Sequence, residues 1–142
     1  MRALLDVNVL LALFDADHVD HVRAWDWLTS EIGDGWASCP LTENGFVRII
    51  SQPRYPNPIG AAQAIGLLAR ATATVHHEFW PADLSLLDSG SVLPDRVHGP
   101  KQVTDLYLLA LAVARGGRFV TFDSAVPRSA VPGARSEHMV IL

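Results

Sequence analysis

Along the chain, short and almost wholly apolar runs alternate with longer segments in which apolar residues recur every three or four positions. Arg2–Leu5 together with Val7 reads as a buried strand, a run too short for a helix and interrupted by Asp6. Val9–Phe14 follows as a short apolar helix, broken by Asp15–Asp17. His18–Ile32 has helical spacing, with Val22, Trp25, Leu28 and Ile32 on one face and Asp20, Arg23 and Glu31 off it. Gly33-Asp34-Gly35 ends that helix, and Trp36–Cys39 is a second short strand. Thr42–Ser51 reads as the next helix, with Thr42 as its N-cap.

Pro53, Pro56 and Pro58 forbid regular structure over Gln52–Pro58. Beyond them come an Ala-rich helix over Ile59–Ala71, a strand over Thr74–Phe79, a short helix over Asp83–Ser89 and a loop over Gly90–Gly99. Val103–Ala114 is the plainest helix, entered after Pro100 and closed by Gly116-Gly117. Arg118–Phe122 is a strand that meets Asp123; a loop over Val126–Arg135 and a last strand over His138–Leu142 complete the chain. Short apolar strands set between helices predict an α/β fold with a mainly parallel sheet covered on both faces. No repeat, low-complexity tract or long linker divides the chain, so a single domain over residues 1–142 is expected.

This pattern turns four acids into a candidate site. Asp6 and Asp123 follow the first strand and the Arg118–Phe122 strand, at the edge where open α/β sheets bind ligands. Glu43 begins the helix after the second strand, and Asp105 lies in the first turns of the Val103–Ala114 helix. If the first and fourth strands are neighbours, all four carboxylates can converge. Converging carboxylates repel one another and raise each other's pKa, a penalty that a divalent cation removes. Hard oxygen donors suit Mg2+, with Mn2+ as a second choice, and such an ion both activates water and binds phosphate oxygens. An acid in the first turn of a helix also favours the helix dipole, which alone accounts for Glu43 and in part for Asp105. Asp6, between an apolar strand and an apolar helix, has no such ordinary explanation.

Composition narrows the chemistry further. The net charge of −4 argues against broad non-specific nucleic-acid binding, but not against an enzyme whose carboxylates are masked by cations. Ten of the eleven basic residues are Arg, suited to bidentate phosphate contacts; Arg48 and Lys101, with Arg54 and Arg96, are the candidates for holding substrate phosphates. The single Cys39 excludes an internal disulfide and a cysteine metal cluster. No apolar stretch approaches the length needed to span a bilayer, and the N-terminal run has neither the continuity nor the cleavage site of a signal peptide, so a cytoplasmic protein is expected. His18 and His21 read as structural residues at a helix start, and His76-His77 would face opposite sides of a strand. Trp25 fits the buried stripe, whereas Trp27 lies off it and is the candidate partner contact.

Four ordered segments carry a resemblance. Leu4-Leu5-Asp6-Val7-Asn8-Val9-Leu10, Thr42-Glu43-Asn44-Gly45-Phe46-Val47-Arg48, Val103-Thr104-Asp105-Leu106-Tyr107 and Phe119-Val120-Thr121-Phe122-Asp123 resemble the acidic motifs of PIN-domain proteins, and most closely those of the VapC toxins of bacterial toxin–antitoxin pairs. The resemblance implies a three-layer α/β/α sandwich and Mg2+-dependent endoribonuclease activity. It implies inhibition by a VapB-type antitoxin and a homodimer. By position it makes Asp6, Glu43, Asp105 and Asp123 the acidic site, with Asp6 and Asp105 as the principal metal ligands and Asn8 and Thr121 orienting them.

Rival readings are tested by the same residues. A dehalogenase-type phosphotransferase needs a second Asp where Asn8 stands, and a receiver domain needs a phosphate-accepting Asp at the end of a middle strand, where the chain has Cys39-Pro40. A non-catalytic, metal-dependent nucleic-acid-binding module remains compatible with the sequence.

Overall fold

A computed structural model describes residues 1–142. Five short strands form one all-parallel sheet: β1 (Ala3–Leu5), β2 (Trp36–Ser38), β3 (His77–Phe79), β4 (Arg118–Thr121) and β5 (Met139–Ile141), in the order β3-β2-β1-β4-β5. The register pairs Leu4 with Ala37 on one side and with Phe119 on the other. β1 therefore sits at the centre and β4 beside it, the adjacency that the convergence of acids requires.

Side chains alternate across a strand, and the core divides accordingly. Ala3, Leu5, Trp36 and Val120 face a layer of α1 (Val7–Phe14), α2 (His21–Glu31), α3 (Pro40–Ile50) and α4 (Ala61–Thr72). Leu4, Ala37 and Phe119 face α5 (Val103–Ala114) together with irregular chain that contributes Trp80, Val92, Val126 and Val131. The result is the expected α/β/α sandwich. α1 and α5 carry unbroken buried runs, Val9–Leu13 and Leu106–Ala112, as helices enclosed on most sides must. Gly116, at φ +65°, supplies the left-handed turn that ends α5 and sends the chain into β4.

Several local expectations are corrected. No helix forms over Asp83–Ser89. There the Leu84 N–H donates to the Tyr107 hydroxyl at 3.3 Å, and Ser85 and Asp88 side chains accept from the backbone two residues on. These local bonds compete with a helix ladder, and Leu87, almost fully exposed, adds no apolar face. Thr42 is not the N-cap of α3. The helix starts at Pro40, and Thr42, fully buried one turn in, accepts from the Cys39 N–H at 3.0 Å. α2 begins at His21, and its buried positions are Ala24 and Leu28. Val22 and Trp25 are 68% and 43% exposed, whereas Trp27 packs against the core beneath the Arg118 guanidinium, 5.3 Å from its ring. The roles expected of the two tryptophans are thus exchanged. Small Ala24 fills the buried position of α2, and Trp25 lies at its margin, its indole N–H donating to the Leu13 carbonyl of α1 at 2.8 Å while part of the ring stays exposed.

Candidate active site

The end of β1 and the start of α1 fix Asp6. It caps α1, its Oδ1 accepting from the Val7 N–H at 2.7 Å, and its Oδ2 accepts from the Thr121 hydroxyl at 2.6 Å. Thr121 in turn accepts from the Asn8 amide at 3.1 Å and from the Asp123 N–H at 3.0 Å. Asn8 Oδ1 accepts from the Phe122 N–H at 3.3 Å. One hydroxyl at the end of β4 therefore ties together β1, the first turn of α1 and the turn carrying Asp123. Asn8 and Thr121, the residues expected to orient the acids, are thus bonded to each other, with Thr121 also bonded to Asp6.

Asp105 projects from the first turn of α5 toward the same place. Burial, then Asp6, then Asp123 push its carboxyl up to about 7. Asp6 is also raised, first by burial, against the lowering effect of its bonds from Thr121 and the Val7 N–H, with Asp123 adding to the rise. Asp6 and Asp105 are thus both raised at the C-terminal edge of the sheet, with the charge of Asp123 adding to each and no cationic side chain among the causes of either shift. The structure does not draw three or more His, Cys, Asp or Glu side chains close enough to hold an ion together. Two carboxylates suffice for Mg2+, which keeps several waters and takes further oxygens from substrate phosphate, so the donor chemistry of Asp6 and Asp105 fits it.

Glu43 is not among the charges that shift Asp6 or Asp105. Its Oε1 accepts from the Ser38 hydroxyl at 2.6 Å, and the same hydroxyl lies 2.8 Å from His77 Nε2. His77 stands edge-on to Trp36 at 4.5 Å between ring centres; burial lowers its pKa, and Glu43 acts in the opposite sense. Arg48 also stands apart, in the last turn of α3, on a groove between α3 and α4 lined by Asn44, Val47, Ser51, Ala61 and Ile65. Lys101 remains at the rim, exposed in the 3-10 turn Pro100–Gln102, one turn before Asp105. The next residue, Gln102, donates to the Ala125 carbonyl at 2.8 Å and joins that turn to the chain beyond Asp123. Arg96 donates to the Ser129 carbonyl, and Arg54 is exposed beside Tyr55. His18 and His21 bond to the Asp20 N–H and the Ala12 carbonyl, as structural residues do.

The PIN domain model matches residues 3–131, a span that contains all four acids. The chain belongs to the PIN domain family. Two relatives extend the match. Ribonuclease VapC44 of Mycobacterium tuberculosis is 65% identical over 142 residues, all of both chains. Ribonuclease VapC39 of the same species is 44% identical over 135 residues, 94% of this chain and 96% of that one. Among solved structures, VapBC2 from Rickettsia felis, bound to a DNA fragment from its promoter, superimposes with a TM-score of 0.63 at 12% identity, covering 100% of this chain and 98% of that one. That likeness concerns the fold alone.

Within this PIN domain, sequence reasoning missed Ser38 and His77 around Glu43, and Arg23, whose guanidinium lies 5.3 Å from the centre of the Phe122 ring. Ser38 has a faint signature, a polar residue on a wholly buried strand and in phase with Trp36. His77 and Arg23 have none, because their partners lie 39 and about 100 residues away in the chain, far beyond local spacing rules.

Proposed function

We propose that this chain is a VapC-type toxin, an endoribonuclease that hydrolyses RNA phosphodiesters at the Asp6–Asp105–Asp123 edge with Mg2+ as cofactor. The carrying observation is a group of like charges at the C-terminal edge of the sheet, a buried Asp6 and a half-buried Asp105 both raised in pKa with the exposed Asp123 beside them, in a chain similar over its whole length to ribonucleases. Asp6 and Asp105 would hold the ion. Bound there, it supplies neutralisation of phosphate charge and an acidified water for attack. Asp6 is kept in one rotamer by two bonds, one to each oxygen, so its outward lone pairs stay directed at the edge. Thr121 and Asn8 keep the turn of Asp123 in register with it. Lys101, exposed in the turn before α5, would hold a phosphate on that side, and Glu43 would complete the acidic surface from α3 once released from Ser38. Mn2+ is the expected substitute ion.

The partner is a VapB-type antitoxin, and the enzyme is a cytoplasmic homodimer. No helix is long and apolar enough to cross a membrane. Between α1 and α2 lies an apolar groove of about 190 Å³ lined by Leu13, Phe14, Trp25, Leu28, Ile32 and Trp36, and it suits an apolar antitoxin segment. Trp25, not Trp27, is the exposed anchor on it. Trp25→Ala should weaken antitoxin binding by about 2 kcal/mol, the scale of an interface hot spot, as read by calorimetry. Unchanged affinity would remove the groove from the interface.

The deciding experiment exposes total cellular RNA to purified antitoxin-free wild type and to Asp6→Ala, with Mg2+ or with EDTA, and maps the cut ends. Discrete cuts that need both the metal and Asp6 support the reading. Folded wild type that cuts nothing favours instead the non-catalytic binding module.

A further inference from the structure

Three arginines at the N-terminal edge of the sheet are spent on structure. Arg2 pairs with Glu78 at 3.1 Å, Arg115 with Asp83 at 2.8 Å, and Arg118 with Glu31 at 2.7 Å. α2 runs antiparallel to the strands, with Glu31 near that edge and its first turns near the other. Its Arg23 is different in kind. The side chain is 58% exposed, its only ionic partner is Asp20 at a loose 3.5 Å, and its guanidinium rests over Phe122. Phe122 is the residue between Thr121, which holds Asp6, and Asp123. The ring therefore fixes a cation beside the carboxylate edge, on the flank opposite α5 and Lys101.

We infer that Arg23 is a substrate-binding residue that holds an RNA phosphate on the α2 side of the acidic edge, with Phe122 as the platform that keeps its guanidinium there. The inference rests on the ribonuclease reading. A single-stranded RNA laid across the edge would meet a cation on each flank of the acids, Lys101 on one side and Arg23 on the other. A guanidinium held over a ring by cation–π attraction keeps N–H donors for two phosphate oxygens and loses less freedom on binding than a free side chain would. An aromatic ring takes none of the guanidinium's N–H donors as a carboxylate would, and Asp20 at 3.5 Å takes at most one of the five.

The test measures binding of a short labelled single-stranded RNA of mixed sequence across a salt series, with Ca2+ in place of Mg2+ to suppress turnover. Wild type, Arg23→Gln, Arg23→Lys and Arg70→Gln are compared. Arg70, exposed in the last turn of α4 at the opposite edge of the sheet, is the control. Removing one phosphate contact should lower the slope of log affinity against log salt by about 0.7. Arg23→Gln should also weaken binding about five-fold at the lowest salt, the scale of one charge-assisted contact. Arg23→Lys should keep the slope and lose part of the affinity. Near-UV circular dichroism confirms that each variant is folded. An Arg23→Gln slope equal to wild type, or an equal loss in Arg70→Gln, overturns the inference while leaving the ribonuclease reading intact. Wild type that binds no RNA at all overturns both.

Discussion

Thr121 decides more of this site than any acid does. Its hydroxyl donates to Asp6 and accepts from Asn8 and from the Asp123 N–H, so three segments of chain meet on one oxygen. Thr121→Val keeps the shape and removes every one of those bonds. Thr121 is fully buried, so the loss leaves Asp6 Oδ2 without a donor and the Asn8 amide without an acceptor, while Asp6 Oδ1 keeps the Val7 N–H. Each such orphan costs about 1–3 kcal/mol. The same change withdraws a bond that lowers the Asp6 pKa, so the carboxyl rises further and competes less well for a cation. Thr121→Val should therefore lose both thermal stability and Mg2+ affinity, whereas Thr121→Ser should retain most of both. Calorimetric metal titration alongside a melting curve reads the two effects. Equal metal affinity in all three proteins would show that the hydroxyl serves folding alone.

At the scale of elements, the crossing of α1 and α3 sets how the carboxylate edge is shaped. A Cβ on Gly45 would stand 2.6 Å from the Val7 side chain, one residue from Asp6 and two from Glu43. Alanine at this position gains about 1 kcal/mol of helix propensity, but overpacking costs about 1–3 kcal/mol and Val7 is β-branched and stiff. The clash should win. Gly45→Ala should lower the melting temperature and also reduce cleavage, because α1 and α3 must separate next to the site; a stabilised, fully active variant would refute the tight crossing. A second inter-element tie joins the end of α1 to the proline-rich loop. The Tyr55 hydroxyl donates to Asp15 at 2.7 Å, and Asn57 donates to Asp17 at 3.1 Å. Burial pushes the Asp15 pKa up, yet the bonds from Tyr55 and from the Asp17 N–H outweigh it, and the net shift is downward. A lowered folded pKa stabilises above the unfolded value and is lost as pH falls through the folded one. Wild type should lose this contribution below about pH 4, and Tyr55→Phe should be less stable near neutrality by about 2 kcal/mol, the scale of a hydrogen bond to a charged group, with the gap closing in acid. Denaturant melts at two pH values measure it.

The elements also show what the sequence makes legible. β1, α1, α5 and β4 are plain because each is dominated by a run of apolar residues and is followed within two residues by Asp or Gly. The order of the acids relative to those strands is equally plain, which is why Asp6, Asp105 and Asp123 could be placed together in advance. The face of α2 was not, since a helix carrying Val22, Ala24, Trp25, Trp27 and Leu28 offers two apolar stripes, and only the neighbouring α1 selects between them. Nor could spacing show that one Ser38 hydroxyl would meet both Glu43 and His77, a contact made across β2 and β3.

Over the whole molecule, charge is arranged along the strand axis. The N-terminal edge is knit by ion pairs, including the terminal amine with Asp34 at 2.8 Å and Arg118 with both Glu31 and Asp34. The C-terminal edge keeps Asp6, Asp105 and Asp123 in mutual repulsion. Stability is therefore given up at the candidate site, most plainly at Asp105. Burial, with Asp6 and Asp123 adding to it, pushes its carboxyl up to about 7 from an ordinary 3.8. With the folded pKa above the unfolded one, an acid costs stability as pH rises between the two values, and the full penalty is present above the higher. Water reaches this half-buried group and screens the repulsion, so the penalty is about 1–2 kcal/mol at pH 8. Asp105→Asn removes the charge and keeps the shape. In EDTA at pH 8 the variant should melt above wild type, and at pH 4 the two should coincide. Mg2+ should raise the wild-type melting temperature at pH 8, less so at pH 5 where protons compete, and should leave the variant nearly unmoved. The same variant should not cleave RNA. If Asp105→Asn instead melts below wild type at pH 8 in EDTA, the carboxylate is held by the fold and not strained by it, and the metal-site reading loses its energetic basis.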